Sequence, residues 1–228
     1  MTEDYLSDLL PDPLPDNPLA WAEAWLREAE RRADQPNPNA MTVATTSDDG
    51  RPSARVVLCK AFVVDPGFVV FYTNYQSRKA QEAFGQQEVA AVFHWDAMGR
   101  QVRLEGVAEA SPIDESDAYF ATRGVASRIG AWGSDQSQPL ASRDALLQQI
   151  RDRADKLGVA LDAKGVPVTG ADVPRPPHWG GIRIWPRRVE LWADGADRIH
   201  DRAAWNRKLN RTDTGFEPGP FQGQRLQP

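Results

Sequence analysis

Apolar positions along this chain recur on two periods, and the switches between them mark its elements. From Asp16 to Asp34 the period is three or four (Leu19, Ala22, Trp25, Leu26, Ala29), which predicts a helix. Asp16 or Asn17 would be its N-cap, with Pro18 in the first turn. "QPNPNA" breaks that helix, and short β-rich runs follow at 41–46, 53–62 and 68–73. The turn residues of "SDDGRP" and "VDPG" separate them, which predicts an antiparallel meander. A short helix at 77–85, capped by Ser77, leads to strands at 89–95 and 100–110. Five strands with short links point to a barrel or a sandwich.

A helical period then returns at 111–124, around 126–134 and at 139–158, where Ser142 is the N-cap and Leu146, Leu147 and Ile150 are apolar. The Gly/Pro-rich stretch from Gly158 to His178 reads as a loop, and strands resume at 181–186, 187–194 and 198–205. The segment after Trp205 reads as irregular, ending in one short strand. The expected organisation is a flexible leader, 1–17, and a single domain, 18–228, mainly β with helices.

Composition narrows the function classes. A net charge of −5 argues against a general binder of nucleic acid or anionic membrane. No window approaches the roughly 20 apolar residues of a membrane span. A single cysteine, Cys59, rules out an intrachain disulfide framework, and three scattered histidines do not make a metal site. A reducing cytoplasm fits, and no basic, apolar secretory leader opens the sequence. Phosphate-loop, dinucleotide-fingerprint, "GxSxG" and "HExxH" patterns are all missing.

Against this acidic background, basic residues with hydroxyl neighbours recur at element ends: Arg55 and Lys60; Tyr72, Thr73, Ser77, Arg78 and Lys79; Tyr119, Arg123 and Ser127. Each alone is an ordinary solvated side chain; together they have the chemistry of phosphate recognition. Arg55 and Lys60, an odd interval apart, would take opposite faces of one strand. Trp192 and Gln136 suit a flat, partly polar ligand, and equally a core. In "RIHDR", Arg198, His200 and Arg202 alternate, so a strand there would present three cations on one face, with Asp201 pairing on the other. His200 is either a proton carrier or a hydrogen-bonded structural residue.

In order, the stretches "NAMTVATT", "RVVLCK", "FYTN", "SRKA", "RQVRLEG", "YFATR", "IGAWGSDQS", "HWGGIRI", "ELWADG" and "RIHDR" resemble the pyridoxamine (pyridoxine) 5′-phosphate oxidase family. That resemblance implies an antiparallel FMN-binding split β-barrel, homodimeric, with each flavin site built from both subunits. It assigns Arg55, Val56, Val57, Leu58, Cys59, Lys60, Tyr72, Thr73, Arg78, Lys79, Gln101, Gln136, Ser137, Trp192 and Arg202 to FMN. Lys60, Tyr119, Arg123 and Ser127 would hold the substrate phosphate, while Arg198 and His200 would lie over its pyridine ring as the catalytic pair. The implied reaction takes pyridoxine or pyridoxamine 5′-phosphate to pyridoxal 5′-phosphate, with O2 as acceptor. Two other readings are a related flavin oxidase on another aromatic substrate, as in phenazine pathways, and a non-catalytic module that carries flavin or pyridoxal phosphate. The sequence departs from the family in two places. No arginine precedes Arg27 to form an N-terminal Arg-x-x-Tyr lid, and the usual Arg-Pro-Arg reads Arg123-Gly124-Val125.

Overall fold

The computed structural model describes residues 9–162, 167, 172–213 and 215–228. It divides into two compact units, Met1–Phe71 with Glu82–Glu109 and Arg183–Pro228, and Tyr72–Gln81 with Ala110–Ile182.

The first unit begins with α1 (Pro18–Arg32), whose Asn17 side chain accepts the Leu19 N–H and so settles the cap. Leu19, Ala22, Trp25, Leu26 and Ala29 are buried, as the period predicts, and the helix ends where Ala33 turns left-handed, φ 53°. Strands β1 (Ala40–Thr46), β2 (Pro52–Leu58), β3 (Ala61–Val63), β4 (Phe68–Asn74), β5 (Glu88–Trp95) and β6 (Arg100–Ala110) follow. β7 (Trp179–Ala193), β8 (Asp201–Asn206), β9 (Leu209–Thr212), β10 (Gly215–Pro218) and β11 (Gln222–Leu226) complete the set, with β4 from Tyr72 on and β7 up to Ile182 counted in the second unit. One sheet runs β11-β8-β7-β6-β5-β1-β2, with β4 joined to β3 and β7, and β9 and β10 form a separate ribbon. The fold class is the expected one: mainly β with helices, an antiparallel split barrel. Alternation sets which face is inside: Met41, Val43 and Thr45 on β1, and Val89, Ala91, Phe93 and Trp95 on β5, are buried. Trp21, Trp25, Trp95, Trp185 and Trp205 are its largest buried side chains, each worth about 2–3 kcal/mol on transfer from water.

In the second unit, α3 (Ile113–Ala121), α4 (Val125–Gly133) and α5 (Arg143–Lys156) match the expected helices, and Ser142 caps α5 by accepting the Ala145 N–H. Ile129, Ala154, Val159 and Val173 form one core cluster, and Phe120, Ala131 and Trp179 another. A Cβ on Gly133 would lie 2.7 Å from Ile150 Cγ1, so α4 and α5 approach through that glycine. Helix α2 (Arg78–Gln86) follows Ser77, whose carbonyl accepts the Ala80 and Gln81 N–H groups. The Gly158–His178 loop falls partly outside the described residues.

Four sequence expectations need correcting. Run 53–62 is two strands, because Cys59 N–H bonds to Asn39 O while Lys60 N–H turns to Val70 O. Arg55 and Lys60 therefore do not share a regular strand. The runs 181–186 and 187–194 are one strand that continues through Pro186. The segment after Trp205 holds three strands. "RIHDR" is not one strand: β8 starts at Asp201, after a one-turn 3-10 helix, Ala196–Arg198, in which Asp197 and Arg198 have φ 56° and 64°.

Candidate active site

The second unit holds a stack of three nearly parallel rings. Tyr72 lies 3.8 Å from Tyr119 and 5.4 Å from Trp179, centroid to centroid, with planes within 13°. Two glycines let the chain pass beside it: a Cβ on Gly180 would meet Tyr75 Oη at 2.1 Å, and one on Gly181 would meet Ser111 Oγ at 2.4 Å. Tyr75 donates its hydroxyl to Gly181 O, 3.0 Å. Arg123 covers the assembly, its guanidinium 4.5 Å from the Trp179 ring and 5.4 Å from that of Phe120. Its Nη1 is buried and meets no hydrogen-bond partner among the described residues. Burial lowers the Arg123 pKa and raises that of Tyr119, each opposed by the other's charge. A cation seated on aromatic faces with an unsatisfied N–H is suited to an anionic ligand with a flat body. Ser127 is exposed on α4.

A second polar cluster in this unit gathers Lys79, Thr73, Ser77 and Gln136. Lys79 Nζ donates to Gln136 Oε1 (2.9 Å), Thr73 Oγ1 (3.1 Å) and Ser77 Oγ (3.2 Å), and Thr73 donates to the same Gln136 oxygen at 3.0 Å. Thr73 and Gln136, 63 positions apart, are thus brought together. Arg78 is exposed at the start of α2, and Ser137 holds φ 73° in the turn after Gln136.

In the first unit the arginines are differently placed. Arg55 donates to Thr45 Oγ1 (2.6 Å) and Ser53 Oγ (2.5 Å), and its Nη2 lies 3.4 Å from the buried Glu82 carboxylate. β2 pairs only with β1 in the sheet order, so it is an edge strand, with Val56 exposed and Val57 and Leu58 half-buried. Burial pushes the Cys59 thiol up to about 12, which suits packing rather than nucleophilic chemistry. Lys60 is exposed, and Gln101 is half-buried on β6 opposite His94.

The expected common face of Arg198, His200 and Arg202 is resolved into three environments. Arg202 sits on β8 opposite Trp192 and donates Nε (3.2 Å) and Nη2 (2.8 Å) to Glu190 Oε1. Glu190 is 3% exposed and also receives Arg103 and Arg188. The imidazole of His200 lies 4.8 Å from the Trp192 ring, with Nδ1 2.9 Å from Asp194 Oδ1, and Arg198 is exposed. Asp201 accepts the Leu10 N–H and pairs with Arg225, which also reaches Leu10 O and Pro11 O. Sequence reasoning missed Trp179, Glu82 and Glu190. The single available signal was that "HWGG" and "ELWADG" stood out as stretches. Among the described residues no group of three or more His, Cys, Asp or Glu side chains could hold a metal ion, and no helix is long and apolar enough to cross a membrane.

Comparison with known proteins agrees with this architecture. A family model for pyridoxamine 5′-phosphate oxidase matches residues 28–155, and one for the pyridoxine 5′-phosphate oxidase C-terminal dimerisation region matches 179–228. The pyridoxine/pyridoxamine 5′-phosphate oxidase of Roseobacter denitrificans is 43% identical over 198 residues, covering 87% of this chain and 91% of the relative. That of Paracoccus denitrificans is 46% identical over 195 residues, covering 84% and 82%. Among solved structures, PhzG from Burkholderia lata 383, in complex with tetrahydrophenazine-1-carboxylic acid, superposes with a TM-score of 0.77 at 28% identity, covering 100% of this chain and 98% of that one. A pyridoxamine 5′-phosphate oxidase-related, FMN binding protein from Nostoc punctiforme shares the fold, with a TM-score of 0.66 at 17% identity and coverage of 92% and 97%. Two family models over most of the chain, together with relatives above 40% identity along nearly their whole length, show that this chain belongs to the pyridoxine/pyridoxamine 5′-phosphate oxidase family of enzymes.

Proposed function

We propose that this chain is a homodimeric, cytoplasmic, FMN-dependent oxidase that converts pyridoxine 5′-phosphate and pyridoxamine 5′-phosphate to pyridoxal 5′-phosphate, with O2 as acceptor. The products besides the aldehyde are H2O2 and, from the amine, ammonia. The observation that carries this reading is Arg123, a half-buried cation over Trp179 whose Nη1 is buried and unsatisfied among the described residues, beside the Tyr119 and Tyr72 pair. Such a group supplies charge-assisted donors to a phosphate, and the rings supply a surface for a planar heterocycle. The curated relatives' names and the dimerisation-region match support the substrate class and the homodimer.

The donor set fits a flavin mononucleotide. Lys79, with Arg78 at the start of α2, offers cationic donors for a phosphate, and the Thr73 hydroxyl and Gln136 amide offer neutral partners for a ring system. Arg55 with the Val56–Lys60 backbone, Tyr72, Gln101, Ser137, Trp192 and Arg202 complete the proposed flavin set. FMN, when bound, supplies the two-electron acceptor that takes a hydride from substrate C4′ and passes the electrons to O2. The chain's own part is binding and orientation. Tyr119, Arg123 and Ser127, with Lys60, take the phosphate, and Arg198 and His200 hold the pyridine ring. The alcohol also loses its O–H proton to become the aldehyde, and the amine gives an imine that water hydrolyses.

The likeness to PhzG favours one alternative, an oxidase acting on a different aromatic substrate. The test is the visible absorbance of FMN-reconstituted protein mixed without oxygen with each phosphate ester. Bleaching that reverses in air, with aldehyde formed, is the expected result. A bound flavin that neither ester bleaches would overturn the assignment in favour of another substrate or a carrier role.

A further inference from the structure

We infer that Asp194 is a positioning residue: it fixes His200 in the tautomer with its proton on Nδ1, so that Nε2 presents a lone pair to the substrate. The role at the substrate rests on the function proposed above; the tautomer does not.

Two contacts compete for Nδ1. Asp194 Oδ1 lies 2.9 Å away, and the Gly195 N–H lies 3.4 Å away. The same N–H is 3.1 Å from Asp194 Oδ1, so the carboxylate already satisfies it. The shorter, charge-assisted contact decides the matter: Nδ1 donates to Asp194, which leaves Nε2 as the acceptor.

The backbone that carries the exposed carboxylate is itself held in place. Asp194 N–H donates to Gly99 O at 2.7 Å, and Gly99, at φ 58°, leaves room where a Cβ would stand 2.7 Å from Asp194 Cβ. Across the turn, a Cβ on Gly195 would meet Ile199 O at 2.0 Å, so the segment closes tightly just before His200. Trp192, tilted 43° to the imidazole at 4.8 Å, limits ring rotation. Asp194 therefore orients the imidazole, and His200 meets the substrate. A ring held this way can accept a hydrogen bond from the hydroxyl or ammonium group at C4′.

The test uses FMN-loaded protein labelled with 15N-histidine. With three histidines in the chain, His94→Gln and His178→Gln assign the signals. At a pH where the ring is neutral, wild-type His200 is expected to show the Nδ1–H tautomer. Asp194→Ala should shift the population toward Nε2–H and lower kcat roughly tenfold, the low end of what losing the orienting partner of a metal-bound imidazole costs, with KM and flavin affinity little changed. Asp194→Asn, whose amide can pair with either tautomer, should fall between. A wild-type ring protonated on Nε2, or an Asp194→Ala ring that keeps the wild-type tautomer, would overturn the inference whatever the kinetics. Failure of the wild type to oxidise either ester would count against the proposed function and leave the tautomer result to decide the role of Asp194.

Discussion

Arg202 in the first unit and Arg123 in the second are both assigned to phosphate-bearing ligands, yet their surroundings differ in kind. Arg202 donates twice to Glu190, a carboxylate 3% exposed that also receives Arg103 and Arg188. Arg55 repeats the pattern with Glu82, Thr45 and Ser53. These guanidinium groups are oriented by ion pairs before any ligand arrives, so they contribute hydrogen-bond direction as well as charge. Arg123 faces rings instead, with Nη1 buried and unsatisfied. The cost of desolvating it is borne by the folded protein and is recovered when an anion binds. A compensated arginine builds a scaffold, and an uncompensated one makes a receptor.

The largest effect should come from breaking the compensated side. Glu190→Gln would leave three arginines around a neutral amide. Loss of a fully buried partner costs roughly 3–5 kcal/mol, but Arg103, Arg188 and Arg202 all reach water, so about 2 kcal/mol is expected in chemical denaturation. A loss below about 0.5 kcal/mol would show that Glu190 does not organise the cluster. Arg123→Met should behave in the opposite way. The unsatisfied nitrogen costs about 1–3 kcal/mol and the cation–π contacts return about 1–2, so stability should change by less than about 1 kcal/mol, or about 2–4 °C in Tm. A drop of 10 °C would mean that Arg123 is structural. The smallest effect concerns Cys59. Because burial raises its pKa to about 12, the thiol stays protonated up to that pH, and alkylation of the native protein at pH 8 should be far slower than in denaturant. Rapid native labelling, followed by mass spectrometry, would show that the β2–β3 junction opens.

Legibility in the sequence followed the range of the interactions involved. The Asn17 and Ser142 caps and the buried stripe of α1 were readable because a helix end and a helix face are set by residues within a few positions. "RIHDR" misled because its alternation imitates a strand. The left-handed turn at Asp197 and Arg198 goes with the close approach of Gly195 to Ile199 O, which side-chain polarity does not report. The break after Leu58 was equally hidden: Cys59 and Lys60 bond to Asn39 and Val70, on different parts of the chain. Among site residues, the ordered stretches supplied the candidates proposed above, but no role for the carboxylates. Glu82 and Glu190 look like ordinary surface acids until Arg55, 27 positions away, and Arg103, 87 positions away, are seen against them.

The most direct test of the contrast is equilibrium binding of pyridoxine 5′-phosphate and of unphosphorylated pyridoxine to the flavin-loaded wild type and to Arg123→Met. If Arg123 is the uncompensated receptor, the wild type should prefer the phosphate ester strongly. The variant should lose about 10–100-fold of that preference, the worth of one charge-assisted hydrogen bond, while binding of pyridoxine itself barely changes. An undiminished preference in the variant, or an equal loss for both ligands, would contradict the account.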